Sequence, residues 1–134
     1  MLKIPARISR EYIQKHPEII FIYSSDFYGQ SNMGQAAFAK GEPNAFPIPV
    51  KKRMCRAASD NVFTDAMFEY FTKSSIDKAL AAVPKDGRPI VCFPNIGKGC
   101  ADLSHNAPLT LAYIERRLAE IVCEYEIDYQ YANA

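Results

Sequence analysis

The chain is poor in the residues that most often carry metal or proton chemistry. Its two histidines, His16 and His105, stand far apart, and its four cysteines, Cys55, Cys92, Cys100 and Cys123, match no zinc or redox spacing. A protein-held transition metal is not expected, no cofactor is assigned, and the cysteines are read as reduced, small hydrophobes. Neither sign of charge dominates: the formal net charge is +1. Bulk attraction to nucleic acid or a membrane surface is therefore absent, and nucleic acid is not an expected partner. No apolar run approaches the ~20 residues of a membrane span, and Met1 to Arg10 lack the apolar core of a secretory leader. A cytoplasmic protein with no membrane partner is the expectation. There is no G-x-G-x-x-G, no complete phosphate loop of Walker type and no G-x-S-x-G elbow, so neither a dinucleotide fingerprint nor a serine-hydrolase nucleophile is encoded.

What the chain does have is an ordinary globular composition, 49% hydrophobic and 23% charged over 134 residues, which suits one domain spanning 1–134. Ser9 caps a predicted short helix that ends before Pro17. Glu18-Ile19-Ile20-Phe21-Ile22-Tyr23-Ser24 reads as a strand covered on both faces. A loop from Ser25 leads into a helix around Gln35 to Lys40, closed by Gly41 and Pro43. The prolines of Phe46-Pro47-Ile48-Pro49-Val50 make that segment an edge strand or a short linker strand rather than a central one. Ser59-Asp60-Asn61 favours a turn. Ser74 or Ser75 is expected to cap a helix bearing Ile76, Ala79, Leu80 and Val83, and Pro84-Lys85-Asp86-Gly87 ends it. After the strand Ile90 to Phe93, Asn106 is expected as the N-cap and Pro108 as the first turn of a helix striped by Leu111, Ile114, Leu118 and Ile121. Tyr125 to Ala134 either forms a final strand or lies against the body.

Strands and helices in alternation predict an α/β sandwich. In such folds ligands collect outside the carboxyl ends of the strands. Two loops, Ser24 to Gly34 and Asn95 to Ser104, are predicted to leave such ends and to wall one crevice. Gly97-Lys98-Gly99 suits either an anion, with Lys98 as its charge partner, or a plain turn. Asp26 either accepts hydrogen bonds from a ligand or caps its own turn. Asn32, Gly34 and Gln35 could present an amide and backbone N–H groups to a ligand, or Asn32 could cap the helix with Gln35 exposed. The basic cluster from Lys51 to Arg56 fits phosphate or nucleic acid or, more often, a solvated loop.

The order of Phe21-Ile22-Tyr23-Ser24-Ser25-Asp26, Met33-Gly34-Gln35-Ala36-Ala37, Glu42-Pro43-Asn44-Ala45-Phe46-Pro47-Ile48-Pro49-Val50-Lys51 and Phe93-Pro94-Asn95-Ile96-Gly97-Lys98-Gly99 resembles a group of small phage and bacterial proteins of uncharacterised function that are similar to macro domains. The resemblance implies a three-layer α/β/α sandwich with a mixed sheet and a cleft for ADP-ribose or a related nucleotide. It implies that Asp26 meets the base, that Asn32, Gly34 and Gln35 lie by the distal ribose, and that Asn95, Ile96, Gly97, Lys98, Gly99 and Cys100 wrap the diphosphate. Ser24-Ser25-Asp26 stands where the group has glycine, aspartate and asparagine, and Lys98 where a small residue is usual. These departures weigh against hydrolysis. Nucleotide binding is the leading expectation. The alternatives are an ADP-ribosyl or phosphoester hydrolase and a phage-type interaction protein that sequesters a nucleotide signal or blocks a host protein partner.

Overall fold

The dense apolar run in the first third of the chain forms the middle strand of the molecule. In the computed structural model, which describes residues 1–53, 62–99 and 101–130, this strand, β2 (Ile20–Asp26), lies between β3 (Ala45–Lys51) and β4 (Ile90–Cys92). Both neighbours are parallel to it, with Phe21 opposite Ala45 and Ile22 opposite Cys92. Its side chains alternate between two cores. Ile20 and Ile22 join Ile48 and Ile90 on one face, and Phe21 and Tyr23 join Val91 and Phe93 on the other. A strand buried on both faces needs a continuous apolar run, which is why alternation is missing from the sequence here.

Helices close both faces. On the first, α3 (Lys73–Ala81) and α5 (Pro108–Ile121) contribute Ile76, Leu80, Ile114 and Leu118. On the second, α1 (Arg10–Lys15) and the single turn α2 (Ala36–Ala39) contribute Tyr12, Ile13, Ala36 and Ala39. The result is an α/β fold with helices on either side of a sheet. A mixed sheet was expected; all ladders between named strands are parallel, and among the described residues antiparallel pairing is confined to one bridge, Lys51 to Val62. A second parallel pair joins β1 (Leu2–Pro5) to β5 (Tyr125–Asp128). The Cys123 N–H donates to the Ile90 carbonyl (2.9 Å), so the chain entering β5 runs beside the edge of β4 that faces away from β2.

Several local expectations meet their physical reasons here. Ser9 accepts the Tyr12 N–H (3.0 Å) and starts α1. The Phe21 N–H donates to the Asn44 carbonyl, so Pro47 and Pro49 occupy the alternate positions whose N–H groups would point away from β2. Asn44 is itself buried, its amide nitrogen 2.9–3.0 Å from the carbonyls of Ile13, His16 and Ile19, and ties α1 to the start of β2.

Two expected caps are corrected. Ser74 and Ser75 lie inside the helix rather than at its start, and both hydroxyls donate back to the Phe71 carbonyl. The helix begins earlier, through a 3-10 turn (Asp65–Met67) and a π turn (Phe68–Thr72). The first turn of α5 is capped from a distant segment: the Leu109 N–H donates to Asp65 Oδ1 (2.9 Å). Asn106 instead closes the short α4 (Leu103–Asn106), its side chain donating to the Ala101 carbonyl. Between α3 and α5, Asp77 accepts from the Tyr113 hydroxyl (2.5 Å) and pairs with Arg117, and the buried Thr72 and Thr110 hydroxyls meet at 3.2 Å. The expected turn at Ser59-Asp60-Asn61 lies outside the described residues, as do Cys55, Arg56 and Cys100.

Candidate functional site

The connections decide where a crevice can form. From β2 the chain leaves through α2 on one face of the sheet; from β4 it leaves through α4 and α5 on the other. Neighbouring parallel strands whose connections diverge to opposite faces leave a gap at their carboxyl ends. At this point lies a cavity of about 350 Å³, walled by Ser24, Ser31 and Met33 to Gln35 on one side and by Pro94, Asn95, Gly97, Gly99 and Ala101 on the other.

Gln35 holds the two walls together. Its Oε1 accepts the Ser24 N–H (2.8 Å) at the end of β2, and its Nε2 donates to the Pro94 carbonyl (2.7 Å). The second wall turns sharply, with Asn95 at φ 61° and Gly97 at φ 79°. The Lys98 N–H donates to the Asn95 carbonyl, and the Leu103 N–H to that of Gly97. Glycine is required at 97: a Cβ there would lie 2.5 Å from Leu103 Cδ1. Gly99 faces open space, with nothing within 4 Å of a Cβ built on it. Among the described residues, no backbone acceptor is paired with the N–H of either Gly97 or Gly99.

Charge enters from the third strand. Lys51, at the carboxyl end of β3, is only 8% exposed and lines the cavity, with Val50 beside it. Ser24 is on the same lining, its hydroxyl sealed from solvent and without a hydrogen-bond partner among the described residues. The lining contains no carboxylate, imidazole or thiol among the described residues. Cys92 lies outside it, and burial raises the pKa of its thiol, which disfavours the nucleophilic thiolate.

Of the residues expected from sequence, Gly34, Gln35, Asn95, Gly97 and Gly99 come together on this lining. The others go elsewhere. Asp26 is buried, and its Oδ1 accepts the Gln30 N–H (2.9 Å), so it caps its own turn. Asn32 is exposed and off the lining. Ile96 is a core residue, and Lys98 lines a different, apolar groove against α5 together with Glu115. Cys100 lies outside the described residues. Sequence reasoning singled out neither Ser24 nor Lys51 as a ligand contact, though Ser24 opened the first predicted wall and Lys51 the basic cluster. The signal for Lys51 was its place at the end of a strand next to β2, which only the strand order makes meaningful.

A model of a protein family matches residues 3–117. The chain belongs to DUF7831, a family of unknown function. No curated protein and no solved structure matches it. The portion of this DUF7831 member covered by the family model includes both walls of the cleft and Lys51, whereas β5 falls beyond it. Among the described residues no group of three His, Cys, Asp or Glu side chains is placed to hold a metal ion, and no helix is long and apolar enough to cross a membrane.

Proposed function

We propose that the cleft between β2 and β4 binds a nucleotide-type ligand, ADP-ribose or a close relative, and that the protein is a macro-like binding domain. The observation that carries this reading is the Gln35-clasped cavity at the point where the connections of β2 and β4 diverge, with a glycine-containing wall on one side and Lys51 at its end. Glycine N–H groups that have no backbone acceptor among the described residues, and a lysine, are complementary to a diphosphate. The order of sequence motifs that resembles macro domains supports the same ligand class, and such a ligand implies a cytoplasmic setting. Because no carboxylate, imidazole or thiol among the described residues stands on the lining to activate water, the reading favours binding over hydrolysis.

Isothermal titration against ADP-ribose, NAD and cyclic nucleotides tests it. Heat of binding is expected with at least one of them, and silence with all, at protein well above micromolar, refutes the reading. Gly99→Glu should abolish that heat by filling the mouth with a carboxylate while leaving the melting curve nearly unchanged, since a side chain at 99 meets no neighbouring atom. Incubation with an ADP-ribosylated protein over hours should release no ADP-ribose.

A further inference from the structure

A second concavity lies beside the cleft, reached by continuing along the same two strands. Ser24 and Lys51 line the cleft; Phe27, Tyr28, Lys52 and Arg53, a few residues further on, line a groove of about 480 Å³. Its opposite wall is Tyr70 and Phe71, both from the π turn, with Met67 just before it. π turns cost helix regularity and are frequent at functional sites. The groove is apolar and aromatic but not sealed. Tyr28 is 56% exposed and Tyr70 73%, more than packing alone explains for rings of this size. Phe27 stacks on Phe71 at 4.8 Å and meets Tyr28 edge-on at 5.1 Å, so the floor is preorganised. The Arg53 guanidinium sits 5.7 Å from the centre of the Tyr28 ring. Both charged groups among the described lining residues are cations, and none is a carboxylate.

We propose that this groove binds single-stranded nucleic acid. Ring faces left in water beside two cations match a ligand that alternates flat apolar bases with phosphates. Unpaired bases can reach Tyr28 and Tyr70, whereas those of a duplex are already stacked. Lys52 and Arg53 then meet the backbone. Recognition is of stacking and charge, so little sequence preference follows. The inference is independent of the nucleotide assigned to the cleft.

Fluorescence anisotropy of a labelled oligothymidylate of about 12 nucleotides, within the usual range for such sites, tests the proposal on the whole chain. Affinity should fall about sevenfold between about 50 and 200 mM salt, the slope for neutralising two phosphates of a single strand. Tyr28→Ala and Tyr70→Ala should each weaken binding by about fivefold or more, whereas Tyr28→Phe should bind as the native chain does. Lys52→Gln with Arg53→Gln should flatten the salt dependence. Tyr70 is so exposed that its alanine variant should melt like the native protein, which keeps the test clear of misfolding. The proposal fails if the native chain leaves the anisotropy unchanged, if Tyr70→Ala binds as tightly as the native protein, or if an acidic peptide displaces the oligonucleotide at lower concentration than unlabelled oligothymidylate does. Displacement by excess ADP-ribose also overturns it, because it would put both ligands in one site.

Discussion

The cleft and the aromatic groove sit side by side at the carboxyl end of one sheet, yet they are built from different materials. The cleft is made of backbone, small residues and one clasping amide, so its shape and its stability are the same property. The groove is made of large side chains hung on the rim, and its most exposed rings hold nothing else in place. Change at the Gln35 clasp or the Gly97 turn should therefore register in folding, and change at the outer rings of the groove only in binding.

The strongest test of that contrast is Gly97→Ala. The added methyl meets Leu103 at 2.5 Å on a backbone with positive φ, and the sum of crowding and left-handed strain is about 2–4 kcal/mol. A large drop in the urea midpoint is expected; an unchanged midpoint would mean that the wall relaxes freely. Gln35→Ala comes next. It leaves the Ser24 N–H and the Pro94 carbonyl without their partner, at about 1–2 kcal/mol, and should weaken ADP-ribose binding in the same titration. Stability equal to native with weakened binding would break the equation of shape and stability.

An alkaline titration probes the strands behind both sites. Burial raises the pKa of Cys92, Tyr23 and Tyr125, so each ionises more readily in the unfolded chain than in the fold. The stability that depends on their protonated forms is complete below the unfolded values, about 8.5 for cysteine and 10 for tyrosine, and is lost as pH rises beyond them. The melting temperature should fall from about pH 8.5 upward, and Cys92→Ala should delay the onset. The smallest effect belongs to the groove: Tyr70→Ala should change unfolding free energy by no more than about 0.5 kcal/mol. A larger loss would make Tyr70 a packing residue and erase the distinction between the two regions.

How far the sequence could be read follows the same division. Both walls of the cleft were legible because each is a contiguous loop following an apolar run, and the loops meet wherever those strands are neighbours. Gly34, Gln35, Asn95, Gly97 and Gly99 could be named on that ground. Asp26 could not be assigned, since a carboxylate after a strand caps a turn as readily as it meets a ligand, and here it holds the Gln30 N–H. Lys98 was misplaced because the turn with Gly97 at positive φ sets it in the groove against α5 while Gly97 and Gly99 on either side of it line the cleft. Only the basic side of the groove was legible, in the cluster that holds Lys52 and Arg53; its aromatic side was not, because Tyr28, Arg53 and Tyr70 come from three segments that only the fold brings together. The same limit applies to the start of α3 and to the cap of α5. Phe71 packs between Phe27 and Phe63, and Asp65 reaches a helix 44 residues away, both choices made by tertiary contact rather than local propensity.

The Gln35 clasp has a spectroscopic consequence. Its two hydrogen bonds join opposite walls through one side-chain amide, so the walls cannot separate without disturbing it. The side-chain NH₂ of a glutamine gives a paired signal in a nitrogen-edited NMR spectrum, distinct from the backbone. In this protein that pair is a built-in gauge of cleft width, sensitive to any occupant that spreads or tightens the walls, and beyond uniform nitrogen-15 enrichment it needs no dye or substitution at the site it measures.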